Sequence, residues 1–415
     1  MNGDMILSAL GGGDMQSRTF LAKIILIMMI GIFPLSAEPE PGDIFREYIR
    51  HWADEGDRLR VGGKLDYGGT EIQLPGEIDL TNAVKAEVEI QKLLCHAYTS
   101  GLSISVNGHG WHLVPESPFI PEPQAVYQHQ FNPVVEIPLS ELENGGNTFK
   151  LKVDEDSTWW AQNLIYGVTF RIYYNDSVPR PGGRITEPVS GSTVGRVFSV
   201  KAEVSGGIDR VEFVAFYRGF DWDGDGEFRE WHGHLFHDTL LHHMGTDTEV
   251  PYQVQFDTSW VPDQAEPIKI SARVVGKDGM IYMLPAARDI ILERPGYSVK
   301  MYEPYDIPEQ WVTRKWEMEE KVDITGDLSK AAAAKLMWVS WAGGYAHGIF
   351  VNQHKVIDRA VNTLYRCDWN IVDVPLEYLK EGTNVIMTGW TEGGGKHGME
   401  VQWPGITVLV QYTEK

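Results

Sequence analysis

Cysteine is almost missing from this chain. Cys95 and Cys367 are the only two in 415 residues, so neither a disulfide framework nor a cysteine-built zinc site can organise it. Either they pair in an oxidising compartment or they stay as two buried thiols, and in both cases apolar cores must supply the stability. Positive charge is also scarce. Lys and Arg number 36 against 58 Asp and Glu, for a formal net charge of −22. So acidic a body is not expected to bind nucleic acid or anionic membrane; it suits solubility, cation binding or a neutral ligand. No second apolar run reaches membrane-spanning length, so no transmembrane segment is expected in the mature chain. The sequence has no His-Glu-x-x-His and no Gly-x-Ser-x-Gly, and Gly393-Gly-Gly-Lys396 is not a phosphate loop.

Aromatic residues, in contrast, are plentiful. With 14 Trp, 17 Tyr, 15 Phe and 43% hydrophobic residues the chain reads as globular. Its 43 Gly and 22 Pro suit many short strands and turns. Near the start, Arg18 and Lys23 precede the apolar residues 24–35 and a small-residue exit at Ser36-Ala37. That is the pattern of a secretory leader over residues 1–37, for which Met15 is a more conventional start than Met1. It places the mature protein outside the cell, in the periplasm or at the cell surface.

Beyond the leader, residues 44–54 read as one short helix and the rest as β-structure. Val84, Ala86, Val88 and Ile90 alternate with polar residues, as do Phe198, Val200, Ala202 and Val204. Such alternation marks antiparallel strands with one face in a core and one in water. Asn107-Gly108 is a hairpin signal. The fold class expected is all-β, in several sandwiches.

The most specific chemical signal lies mid-chain: Asp221-Trp-Asp-Gly-Asp-Gly-Glu-Phe-Arg-Glu-Trp-His232. A hard cation such as Ca²⁺ takes roughly six to eight oxygens, and Asp221, Asp223 and Asp225 alternate as the first three ligands of an EF-hand loop do, with Gly226 at the sharp turn. Glu227 takes the position that gives a backbone carbonyl. The bidentate glutamate is replaced by His232, with Glu230 as the substitute ligand. Because Arg210-Val-Glu-Phe-Val-Ala-Phe-Tyr217 reads as a strand, this is an EF-like loop set between strands.

Two stretches repeat. Val106-Asn-Gly-His109, the Ile137-Pro-Leu block ending at Thr148, and Gly167-Val-Thr-Phe-Arg-Ile-Tyr-Tyr174 return as Val351-Asn-Gln-His354, the Val374-Pro-Leu block ending at Val385, and Gly405-Ile-Thr-Val-Leu-Val-Gln-Tyr412. These blocks resemble the galactose-binding-like jelly-roll domains appended to secreted glycan-processing enzymes. The resemblance implies jelly rolls at 45–178 and 300–415, of a kind that often binds sugars or a structural Ca²⁺. Between them, Ile185-Thr-Glu-Pro, Val211-Glu-Phe, Pro251-Tyr and Lys277-Asp-Gly279 resemble bacterial immunoglobulin-like repeats. That implies a sandwich at 184–295, with the Asp/His-rich stretch as an insertion.

Two further sets of residues bear on function. His232, His234, His237, His242 and His243 follow the acidic loop and could hold a transition metal. Trp111, Trp159, Trp160, Trp369 and Trp390 sit near loops or strand ends, where sugar rings stack on aromatic faces. The reading is therefore a secreted, non-catalytic binder of extracellular or cell-surface carbohydrate. Its structural Ca²⁺ would be held by Asp221, Asp223, Asp225, Glu227 and Glu230. The alternatives are a secreted carbohydrate-active enzyme, a metal-assisted hydrolase or lyase using the histidines, and an adhesion or assembly protein.

Overall fold

The computed structural model describes residues 39–62, 69–94, 96–154, 162–314, 316–360, 365–389 and 398–413. The expected leader, Cys95, Trp159, Trp160 and Trp390 lie outside them. Among the described residues every element longer than a single 3₁₀ turn is a strand, so the protein is all-β. No helix among the described residues is long and apolar enough to cross a membrane.

Residues 44–54 are not a helix. They contribute the strand Ile44–His51, antiparallel to Asn163–Tyr174 over residues 45–51 and to Met280–Met283 at residues 44–46. The segment Ile-Phe-Arg-Glu-Tyr-Ile-Arg-His has enough β-branched and aromatic residues for either state, and two waiting partner strands decide the outcome.

In the first third, Ile44–His51, Asn163–Tyr174 and Ala83–Leu94 lie side by side, and Ala83–Leu94 also pairs with His129–Phe131 and Val134–Glu136. Ile72–Gln73, Thr148–Lys152, Ser103–Val106 and His112–Leu113 form the second layer. Val88, Ile90, Ile104, Val106, Leu151 and Val168 fill the space between, and the Phe149 and Phe170 rings meet across it at 5.7 Å. The last third has the same neighbour order. Tyr297–Tyr302, Thr407–Thr413, Ala331–Trp341 and Cys367–Asp373 make one layer; Met318–Ile324, Gly382–Thr388, Ile349–Val351 and His354–Ile357 make the other. Phe170 stands opposite Tyr48 and Val88, and Val408 stands opposite Tyr302 and Leu336.

The repeated blocks build the same polar knot twice. Asn107, at φ +47°, donates to the Glu141 carbonyl (2.9 Å) and Asn147 Oδ1 (2.7 Å), and accepts the Thr148 N–H (2.9 Å). Asn352, at φ +48°, bonds the Tyr378 carbonyl (2.8 Å), Asn384 Oδ1 (2.8 Å) and the Val385 N–H (3.1 Å). Asn147 and Asn384 are buried and each closes the turn before it through the carbonyls four and two residues back. Asparagine is needed at 107 and 352 because it tolerates a left-handed backbone while its amide serves as donor and acceptor together. Asn147→Ala and Asn384→Ala should each lower stability by about 1–3 kcal/mol, because each strands several buried polar groups. Urea unfolding of the two variants checks this, and a near-neutral result for either would dissolve the knot as a structural unit.

The middle segment has a three-stranded sheet of Gly182–Glu187, Val197–Ser205 and Gln253–Asp257. Its other strands, Ile208–Arg218, Ile268–Gly276, Met280–Met283 and Ala287–Leu292, pair with one another. Because Met280–Met283 also pairs with residues 44–46, the first and middle sheets run together into one of 13 strands. The outer face of the first sheet is thereby covered. Phe45 and Tyr173 on that face pack with Trp231, Leu235 and Leu240 of the middle segment.

This covering corrects the one-wet-face expectation for residues 84–90. Ala86, Val88 and Ile90 do face a core, but Val84 is exposed and Glu87 and Glu89, due for solvent, are buried. They survive there by sharing one guanidinium. Buried Arg171 bonds Glu87 (2.7 Å), Glu89 (2.9 Å) and Glu47 (3.2 Å), and Arg273 reaches the other oxygen of Glu47 at 2.6 Å.

Candidate functional site

The acidic loop is the tip of a hairpin. Ile208–Arg218 returns as Arg229–His232, with Arg218 opposite Arg229 and Tyr217 opposite Glu230. At the tip, Asp221 accepts the N–H of Gly224 (2.6 Å) and of Gly226 (2.8 Å), and Asp225 accepts that of Glu227 (2.6 Å). Both glycines have positive φ, +77° and +94°, and both lie hard against the first sandwich. A Cβ on Gly224 would come 1.8 Å from the Gln130 carbonyl oxygen, and one on Gly226 would come 2.3 Å from Phe119. Only glycine lets this loop sit where it does. Ser117 Oγ donates to the Asp225 carbonyl, tying the loop down further.

The fold brings three of the five expected ligands together. Asp221, Asp223 and Glu230 each place a carboxylate oxygen within 4.8 Å of the other two, and all three are buried. Glu230 joins because it sits on the returning strand and not in the loop. Asp225 is buried alongside but outside that group, and Glu227 is exposed. Burial and then the charge of Asp225 push Asp221 up to about 7, and burial and then Asp223 push Asp225 up to about 9. Burial, followed by Asp221, drives Asp223 well above the ordinary carboxylate range. Acids crowded out of water must take up protons or a cation. One oxygen of Asp223 has no hydrogen-bond partner among the described residues.

A further group points the same way. His232 Nε2 lies 3.1 Å from the Tyr217 carbonyl, so that nitrogen carries the hydrogen and Nδ1 keeps a bare lone pair. That lone pair has no hydrogen-bond partner and faces Glu230 at 3.8 Å. The five histidines do not converge on one point. His243 turns to Thr246 and His237 to the Asp57 carbonyl, while His242 stacks on Trp222 at 4.0 Å. Among the described residues the one group with metal-holding geometry is Asp221, Asp223 and Glu230. Trp369 lies among these rings, 5.4 Å from His234, and its indole N–H donates to the Trp222 carbonyl (2.8 Å). It links the strand Cys367–Asp373 to the hairpin and does not stand as an open platform. Trp111 is 40% exposed, with Lys152 over its ring at 4.5 Å. Cys367 is buried and free.

A second site escaped sequence reasoning. At one end of the first sandwich is a cavity of about 590 Å³, lined by Lys92, Leu94, Leu102, Val114, His129 and Asn163, with Glu116 and Asp154 also in its wall. Strand register explains the lining. Leu94 stands opposite both His129 and Asn163, and Lys92 stands opposite Phe131 and Ile165. Ile165 belongs to the sandwich core, so all these side chains point inward. His129 Nδ1 lies 3.1 Å from the Tyr127 carbonyl and carries the hydrogen, leaving Nε2 a bare acceptor. His129 Nε2 and Asn163 Oδ1 are buried without a partner among the described residues. The sequence signal was faint: polar residues where alternation calls for apolar ones.

No protein-family model matches this chain, and no curated protein matches it. Solved structures with local likeness include BuGH86 in complex with neoagarooctaose (11% identity, 60% of this chain and 35% of that one, TM-score 0.23). A β-porphyranase of glycoside hydrolase family 86 from Bacteroides plebeius aligns at 11% identity over 67% and 44%, TM-score 0.23. Fibronectin(III)-like modules of Clostridium thermocellum CbhA align at 13% over 51% and 94%, TM-score 0.19. The chain spans 35% of the length of the BuGH86 structure. TM-scores this low carry no functional argument, and the function rests on the sites themselves.

Proposed function

We propose that this chain is an exported, non-catalytic glycan-binding protein. In this reading 45–178 and 300–415 are galactose-binding-like sandwiches, 184–295 is an immunoglobulin-like one, and Asp221, Asp223 and Glu230 hold a structural Ca²⁺. The observation that carries the glycan reading is the pocket of the first sandwich. Unpaired polar groups in an inward-facing position are costly unless something bonds them, and a polyhydroxyl ligand supplies the missing donors. The cavity falls in the size range of small-molecule sites. Among the described residues its two carboxylates, Glu116 and Asp154, are exposed to solvent and not enclosed against a bound sugar; this favours binding over hydrolysis. Residues 1–37 supply the export reading.

A glycan array on the mature chain, run with and without Ca²⁺, tests the proposal. Retention of no glycan would remove it. His129→Ala should weaken retained glycans about tenfold, the equivalent of one good hydrogen bond to a ligand, with the melting temperature unchanged. Trp111 is an exposed ring two residues along the chain from Leu113 of the pocket wall. Trp111→Ala should weaken binding several-fold through lost stacking; an unchanged affinity would put that ring outside the ligand's reach.

A further inference from the structure

Lys92 is the unexpected member of the pocket. It sits on an inward position and is 6% exposed, with the Phe131 ring 5.7 Å from its ammonium. No carboxylate among the described residues lies within ion-pair distance of it. This is unusual in a chain with so many acids, where the other buried cations, Arg171 and Arg273, are surrounded by glutamates. Among the described residues this buried ammonium has a ring face beside it and Glu116 acting only from beyond ion-pair distance, which leaves a seat for an anion.

The seat has defined company. Within the pocket, Lys92 offers only donors, while His129 Nε2 and Asn163 Oδ1 offer only acceptors. Neutral sugars match the two acceptors through their hydroxyl hydrogens and the ammonium through their hydroxyl oxygens, but leave the buried charge uncompensated. A sugar with one anionic substituent matches all three. We propose that the pocket selects a sugar bearing a single anionic group, a uronic carboxylate or a sulfate ester, seated on Lys92 with ring hydroxyls donating to His129 and Asn163. This rests on the reading of the pocket as a glycan site. The chain's net charge of −22 opposes an anion at long range, so selection comes from short contacts inside the cavity, where screening is weak. Burial pulls Lys92 down to about 8, with Glu116 acting to raise it. The charged groups facing it, Glu116, Asp154 and His129, leave it protonated at neutral pH, His129 being held neutral by burial.

Calorimetric titration of the mature full chain with three oligosaccharides of equal length, one neutral, one uronate-containing and one sulfated, tests this. Either anionic probe should bind about tenfold or more tightly than the neutral one, and the arm that binds identifies the group. Lys92→Met should abolish that preference, bringing the anionic and neutral probes to within about twofold of one another, and Lys92→Arg should keep it. Melting curves confirm that both variants fold. Equal affinity for neutral and anionic probes, or a preference that survives in Lys92→Met, overturns the selectivity and leaves the glycan reading standing. If no probe binds at millimolar concentration, the glycan reading falls, and the selectivity with it.

Discussion

Arg171→Met should cost about 3–5 kcal/mol of stability, among the largest losses available to a single side chain in this protein. The guanidinium is 2% exposed and pairs with three glutamates at once. Its removal leaves Glu47, Glu87 and Glu89 crowded under the Trp231 and Leu235 lid. Arg273 still serves Glu47, but Glu87 keeps only the partly exposed Lys85 and the Tyr173 hydroxyl. The loss should be greater at pH 8 than at pH 5. Stripped of their cation, buried carboxyls titrate above their unfolded values, so the variant loses stability as pH rises. Urea midpoints at the two pH values measure this. A cost below about 1 kcal/mol would place the cluster among weak surface pairs, which the burial argues against.

Chelation should have the second-largest effect. A cation on Asp221, Asp223 and Glu230 stabilises the folded state by about 2.7 kcal/mol at a hundredfold excess over its Kd. Excess chelator should lower the melting transition by a comparable amount, and Asp223→Asn should remove the Ca²⁺ response. Mg²⁺, smaller and slower to shed water, should substitute poorly. The ion-free protein should also show a distinctive pH dependence. Burial holds Asp221 at about 7 and Asp225 at about 9 in the folded state, above the ordinary aspartate value of about 3.9, so the folded state binds more protons than the unfolded one between about pH 4 and 9. Stability is then fullest below about pH 4 and falls as pH rises toward 9, and saturating Ca²⁺ should flatten the slope. A melting curve indifferent to both chelator and Ca²⁺ from pH 5 to 9 would reduce the acidic loop to a turn.

The fold was legible wherever a residue's fate depends on its neighbours in sequence. Alternation at 198–204 and the paired Asn-containing blocks carried their own strands and turns, and both Asn knots appear where the repeats put them. It became illegible where distant chain segments decide. Residues 44–51 pattern ambiguously until two partners arrive, and Glu87 and Glu89 look like solvent residues until the middle segment covers them. The acidic loop shows the same division. Its three aspartates and Glu230 were plain in the spacing, but only the strand register shows that Glu230 joins Asp221 and Asp223 while Asp225 stays outside the trio. Trp369 looked like a free platform and is a packed link to Trp222. The pocket was hidden because Lys92, His129 and Asn163 come from three strands, and only register brings them together.

The strand Ile44–His51 carries a consequence for how the chain is made. Arg46 and the Asp278 carbonyl that it bonds are 232 residues apart, and Met280–Met283, which closes that edge, is later still. The first sandwich is complete only with Asn163–Tyr174, and at ordinary synthesis rates Met280 follows Tyr174 about 5–20 s behind. Throughout that interval the first sandwich has an unpaired edge of backbone N–H and C=O groups, the feature that recruits neighbouring chains into aggregates. Nascent molecules arrested before residue 280 should therefore be the sticky species. Truncation within the middle segment should yield inclusion bodies and not a smaller soluble module. Any binding partner that protects this edge early would act as a chaperone, whatever its role with the finished protein.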